Sequence, residues 1–201
     1  MENEPILPNP PDEADPPRLT PLDQLHRALG GRMVTFAGYT LPVQFPAGVL
    51  AEHRQARTAA ALFDVSHMGQ ALMRGPDVAA ALERLVPGDI AGLRPGRQRY
   101  TLLTNEAGGI IDDLMVARLD EQTWFLVLNA SRKAEDVRHI AEHVPEALYP
   151  VLDDDRALLA LQGPLAAAAL TRLWPGADAM KFLDVAPHAA IAGFPAIVAR
   201  P

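Results

Sequence analysis

The chain has 201 residues, 49% of them apolar and 21% charged, enough for one large domain or two small ones with a sizeable core. A formal net charge of −7 without any basic run speaks against a general nucleic-acid binder. Cysteine is absent, which excludes disulfides, thiolate metal sites and cysteine nucleophiles and suits a reducing compartment, and no apolar run approaches the ~20 residues that span a bilayer.

Taken in chain order, residues 1–19 read as a disordered acidic tail. Glu2, Glu4, Asp12, Glu13 and Asp15 stand among prolines, without the early basic residues of a signal or transit peptide. Order is expected from Thr20-Pro21, with Thr20 as N-cap and Pro21 in the first turn of a helix that carries Leu22, Leu25 and Leu29 and stops at Gly30-Gly31. Met33 to Phe36 reads as a strand and Gly38 to Pro46 as a loop. Val49 to Ala61 reads as a helix with His53, Arg54 and Arg57 on its wet side.

Leu62 to Met73 is predicted to be a strand, continuous or broken by a turn at Ser66-His67. Pro76 to Leu85 follows as a short helix with Val78, Leu82 and Leu85 inward. Arg99 to Thr104, Ile110 to Arg118 and Thr123 to Asn129 are apolar runs separated by turn-forming segments, the pattern of a β-meander. Ser131 suits an N-cap for a helix whose Val137, Ile140 and Val144 face inward. Asp153-Asp154-Asp155 reads as a loop and Ala157 to Gln162 as a strand. Gly163-Pro164 leads into a helix from Leu165 to Trp174, and a hairpin about Gly193 closes the chain. Strands and helices without a strict βαβ rhythm favour an α+β fold of antiparallel meander sheets with packed helices. The last strand runs almost to Pro201, as in a chain cut before its natural end.

The candidate chemistry lies where ionisable groups interrupt apolar, strand-forming runs, because a carboxylate there costs free energy unless something binds it. Leu62-Phe63-Asp64-Val65-Ser66-His67-Met68-Gly69-Gln70 is one such block, and Gly108-Gly109-Ile110-Ile111-Asp112-Asp113-Leu114 is the other. Alternation places Ile111, Asp113, Met115 and Ala117 on one face and Ile110, Asp112, Leu114 and Val116 on the other. The two carboxylates then cannot form a glycosidase pair. One can serve a pocket while the other bonds backbone or an arginine, or both can close the glycine turn in solvent. Ser66, His67 and Asp64 fall too close in sequence for a hydrolase triad and lack the glycine-flanked elbow, so Ser66 and His67 are read as turn residues bonding backbone. His139 and His143 have zinc-compatible spacing but no neighbouring third ligand, and read as a solvated helix face. No metal is expected.

A series of motifs resembles the aminomethyltransferase (T-protein) family of the glycine cleavage system. They are Thr20-Pro21-Leu22 with Leu25-His26, Gly31-Arg32-Met33-Val34, Phe36-Ala37-Gly38-Tyr39, Pro42-Val43-Gln44-Phe45 with Gly48-Val49 and Glu52-His53, then Phe63 to Gly69, Gly108 to Asp113 and Leu161-Gln162-Gly163-Pro164, in register from about Pro21 to Arg200. The resemblance implies a cytoplasmic enzyme that moves a methylene from an aminomethyl group on the lipoylated H-protein to tetrahydrofolate, with release of ammonia and without a metal. It implies that Asp113 faces folate as the catalytic carboxylate, that Met68, Tyr100 and Phe182 line the folate pocket, and that Asn129 holds Asp113 through its amide. It also implies that residues 20–201 form a folate-binding domain ending before the family's C-terminal β-barrel. A demethylase or iron–sulfur maintenance protein on the same scaffold, and a non-catalytic folate-binding module, remain as alternatives.

Overall fold

The structure is a computed structural model that describes residues 16–152 and 155–201. The tail reading for residues 1–15 and the loop reading for Asp153 and Asp154 lie outside the described residues. Strand β1 (Arg18–Leu19) opens the described chain and pairs in parallel with β3 (Tyr39–Gln44), whose other neighbour is β2 (Arg32–Phe36). Ordered pairing thus starts at Arg18, before Thr20. The expected loop from Gly38 to Pro46 is largely strand. Ala37 and Gly38 both take positive φ (48° and 76°), the twist-matched arrangement of a tight hairpin, although alanine is a poor sequence signal for it. Pro42 fits because β1 reaches only Tyr39 and Thr40, so the edge beside the proline needs no donor.

Helix α1 (Asp23–Ala28) is shorter than expected and has no side-chain cap. Thr20 turns its hydroxyl to Asp64 instead, and Leu25 and Leu29 are exposed. Helix α2 (Val49–Thr58) leads into β4 (Ala61–Asp64), which pairs antiparallel with β10 (Leu159–Gln162). A turn at Ser66-His67 breaks the next strand off, and β5 begins at Gly69.

The remaining strands form a seven-stranded antiparallel sheet ordered β12-β11-β6-β7-β8-β5-β9. Its members are β5 (Gly69–Arg74), β6 (Arg97–Thr104), β7 (Ile110–Arg118), β8 (Thr123–Leu128), β9 (Val151–Leu152), β11 (Asp184–Ile191) and β12 (Phe194–Arg200). The expected meander is its centre, and the closing hairpin is β11–β12, turning at Ala192-Gly193. Helices α3 (Val78–Leu82) and α4 (Lys133–His143) cover one face, while α5 (Ala166–Thr171) follows β10. The main core lies under α3 and α4, where Met73, Leu103, Val116, Trp124, Leu126 and Leu128 from the sheet meet Val78, Leu82, Val137 and Ile140. Fully burying each such side chain stabilises by roughly 1.5–3 kcal/mol, which fixes the facing of every strand involved. Ser131 does not cap α4, whose N-cap position is Arg132. This is the α+β architecture of antiparallel sheets with few helices that the sequence predicts.

Candidate functional site

Strand register assembles the site on the sheet face opposite α3 and α4. Opposed residues on neighbouring strands share a face. Gln98, Ala117, Phe125 and Leu72 make one row across β6, β7, β8 and β5, and Tyr100, Met115, Val127 and Gln70 make the next. Leu102 opposes Asp113 in the third row, and one further step of register brings in Asn129 and Met68 just beyond the ends of β8 and β5. The first row is sealed by Val185 and Ile197. The third is not sealed. Hairpin β11–β12 pairs with β6 at Asp184–Arg97, with an ion pair between the same two side chains and a Gln98 N–H bond to the Leu183 carbonyl beside it, so β6 has a free edge beyond Gln98. Tyr100 is therefore 59% exposed.

Asp113 is half-buried on this open face. The Asn129 amide nitrogen donates to Asp113 Oδ1 at 3.1 Å and lies 3.2 Å from the Asp113 carbonyl and 3.0 Å from Asp112 Oδ1. The Tyr100 phenol is raised above its ordinary range, first by partial desolvation, then by the charge of Asp113 and their hydrogen bond, with a further contribution from Asp112. Met68, half-buried, caps the turn between β4 and β5 through its N–H to the Val65 carbonyl. Gly69 beside it is obligatory packing, because a Cβ there would lie 2.8 Å from Lys133 Cβ and 3.1 Å from Leu128 Cβ. Asp113, Tyr100, Asn129 and Met68 thus share one face. Phe182 does not join their hydrogen-bonded group. It stands 68% exposed in the turn before β11, its carbonyl accepting from Arg97.

Asp112 behaves otherwise than either sequence reading. The glycine turn is closed by Asn105, whose Oδ1 accepts from the N–H groups of Ala107 and Gly109, and not by the aspartates. Asp112 opposes buried Leu103 on the helix-covered face and reaches Asn129 and the carboxyl of Asp136 in α4, not backbone or an arginine. Strict alternation fails at Ile111, which has no partner on β6 and packs against the main core. The one-residue bulge turns Ile111 toward the core, while regular pairing from Asp112 onward sets Asp112 over the core edge and keeps Asp113 on the open face, as alternation predicts.

Asp64, the other interrupting carboxylate, has a structural role. Its side chain, 2% exposed, accepts from Thr20 Oγ1 (2.9 Å), His26 Nε2 (2.7 Å), and the N–H (2.9 Å) and hydroxyl of Ser66. Burial pushes its pKa up, but these donors outweigh burial and hold it below the usual carboxylate range. Ser66 also bonds Leu158 backbone, as expected of a turn serine. His67 packs edge-on against Phe36 and Tyr39 and lies below its ordinary range, mainly through burial. Ser66 therefore bonds the carboxylate and not an imidazole base, and the arrangement is no hydrolase relay. A concavity lined by Ala56, Arg57, Phe63, Gln162, Gly163 and Pro164 sits beside β4 and β10 and includes none of the Asp113 group.

Asp136 and the Asp64–His26 contact escape a reading of the sequence by motif. Asp136 had a local signal: it lies four residues before Ile140 and beside Val137, on the apolar stripe of α4. His26 had none, because its partner is 38 residues away.

Comparison with known proteins bears on this geometry. The GCVT N-terminal domain family matches residues 22–201. The aminomethyltransferase of Chloroherpeton thalassium is 39% identical over 158 residues, covering 78% of this chain and 43% of that protein. That of Rubrobacter xylanophilus is 45% identical over 149 residues, covering 73% and 40%. The crystal structure of glycine cleavage system aminomethyltransferase T from Bartonella henselae superposes with a TM-score of 0.78 at 38% identity, covering 84% of this chain and 46% of that one. A heterotetrameric sarcosine oxidase from Corynebacterium sp. U-96 shares the fold at a TM-score of 0.52 and 16% identity, covering 90% of this chain and 80% of that one. The chain spans less than half the length of the aminomethyltransferases it matches.

Proposed function

Because the chain belongs to the aminomethyltransferase family with a GCVT N-terminal domain, we propose that it carries the folate-facing part of a tetrahydrofolate-dependent aminomethyltransferase of glycine cleavage. In this reading a lipoylated H-protein presents the aminomethyl group in the cytoplasm, in keeping with a cysteine-free chain suited to a reducing compartment. Residues 20–201 act as the folate-binding domain. The methylene carbon breaks its bonds to the lipoyl sulfur and to its amine and forms two bonds to folate nitrogens, while ammonia departs and the lipoyl sulfur is left as a thiol.

The observation that carries the reading is Asp113, a half-buried carboxylate on an open sheet face, steadied by the Asn129 amide and flanked by the Tyr100 phenol. The donor set fits a reduced pterin. A carboxylate accepts from its N–H groups, and Met68, Met115 and Val127 supply apolar surface in neighbouring rows for a flat heterocycle. In the reaction Asp113 orients the folate and stabilises positive charge developing on the reacting nitrogen. It does so by position and fixed negative charge, with no proton transfer required. Phe182 serves as a packing surface for the pterin at the free edge of β6.

Calorimetry with 5-formyltetrahydrofolate tests this, with Asp113→Ala as control. Binding by the parent and its loss in the variant support the reading. No binding to a demonstrably folded chain, or equal binding by both, overturns it.

A further inference from the structure

The face of β7 turned away from the proposed folate site holds a second carboxyl pair. Asp136 in α4 is 1% exposed, and neither of its oxygens meets an N–H or hydroxyl donor. Asp112 Oδ1 accepts from Asn129, while its Oδ2 is buried and equally without a donor. The two carboxyl groups face each other. Two buried carboxylates cannot both ionise at short range, and one shared proton satisfies two of these three orphan oxygens, one on each carboxyl group.

We propose that Asp136 is a positioning residue: it shares one proton with Asp112, and the pair fixes the Asn129 amide that in turn holds Asp113 toward the open face. The geometry forms a chain from α4 through Asp136, Asp112 and Asn129 to Asp113, across both faces of one strand. The proposal rests on Asp113 being the folate-facing carboxylate.

Stability does not explain Asp136. Burial, then the Asp112 charge and their hydrogen bond, push it up to about 8; Glu135 adds to this and Arg132 opposes it. β7 brings Asp112, the segment after β8 brings Asn129 and Arg132, and α4 itself brings Glu135, with His139 one turn further on. A carboxyl whose folded value lies above its unfolded one near ~4 holds an extra proton in the folded state. It therefore costs stability increasingly as pH rises from about 4 to about 8, with no further change above. A group that destabilises where it sits is accounted for by what it positions.

Carbon-13 NMR of the aspartate carboxyls across pH 4–10, with the Asn129 side-chain amide followed in the same titration, tests the proton and the positioning without any folate. The expected result is one carboxyl of the pair titrating near 8, with the Asn129 resonances moving at the same midpoint. Both carboxyls titrating in the ordinary range, or Asn129 indifferent to the transition, overturns the proposal. In folate binding, Asp136→Ala is expected to weaken affinity roughly tenfold at pH 7, and Asp136→Asn, which keeps a donor toward Asp112, to restore it and to remove the loss of affinity expected of the parent as the shared proton leaves at alkaline pH. Equal affinity of parent and Asp136→Ala overturns it. If Asp136→Ala does not fold, the parent and Asp136→Asn titrations decide. If the parent binds no folate, the functional reading falls while the resonances still judge the shared proton.

Discussion

At the residue scale, chemistry here depends on which face a side chain is given and what meets it there. Asp112 and Asp113 are neighbours of one residue type, yet one stands on the open face beside Tyr100 and the other joins Asp136 at the edge of the core. Asp113→Asn keeps the shape and removes the charge. It is expected to leave thermal unfolding nearly unchanged while lowering the proposed methylene transfer, in an assay with H-protein, by about two orders of magnitude, the size typical for one electrostatic group. Asp112→Asn is expected to be milder, since asparagine still accepts from Asn129 and donates to Asp136. A larger loss at Asp112 than at Asp113 in that assay would invert the assignment of the two faces.

At the element scale, the site depends on how closely α4 seats against the start of β5. Gly69 makes that possible, with Lys133 at the first turn of α4 and Leu128 at the end of β8 packed where a side chain would stand. Lys133 is itself buried, its ammonium 5.0 Å from the Tyr39 ring centre, so it cannot simply swing away. Gly69→Ala is expected to cost about 1–3 kcal/mol by overpacking, a fall in melting temperature of several degrees by calorimetry. Folate affinity should fall with it, because Asn129 lies between Leu128 and α4. The one-residue bulge at Ile111 acts on the same scale. Deleting Ile111 would leave Thr104–Ile110 and Leu103–Asp112 as consecutive pairs, so β7 keeps its register and loses only the core contact of Ile111; a folded chain with a lowered melting temperature is the expected outcome by circular dichroism.

At the scale of the whole molecule, Asp64 joins parts of the chain that are distant in sequence. Thr20 and His26 from the first segment meet Ser66 and, through it, Leu158 on the approach to β10. Asp64→Ala would strand four donors and is expected to cost about 2–4 kcal/mol, measurable by urea unfolding. The pH dependence follows from the direction of its shift. The folded value lies below the unfolded one, so this stabilisation is present above the unfolded carboxylate range and is lost as pH falls through the folded value. Acid should thus release the β1–α1 segment early, seen as hydrogen exchange at α1 rising before exchange in the meander. Asp64→Asn should flatten that acid response.

The meander, α3, α4 and the closing hairpin were legible in the sequence because apolar periodicity and turn residues are local signals, and burial in the main core enforces what they suggest. The family was legible too, through motifs kept in order along the chain. The hairpin from Arg32 to Gln44 was obscured by an alanine in a left-handed turn and a proline at an open edge, both tolerated only because of what does and does not pair there. Thr20 left its expected cap for Asp64, and Asp112 left its turn for Asn129 and Asp136, because buried polar atoms take the partners that the packed chain supplies. Local pattern by itself determined the central meander, the helices on it and the lineage of this protein. Which carboxylate faces the open sheet, which is locked against the core and which ties the termini of distant segments together were decided only by tertiary contacts. Those contacts join residues tens of positions apart, and no window of sequence contains both partners.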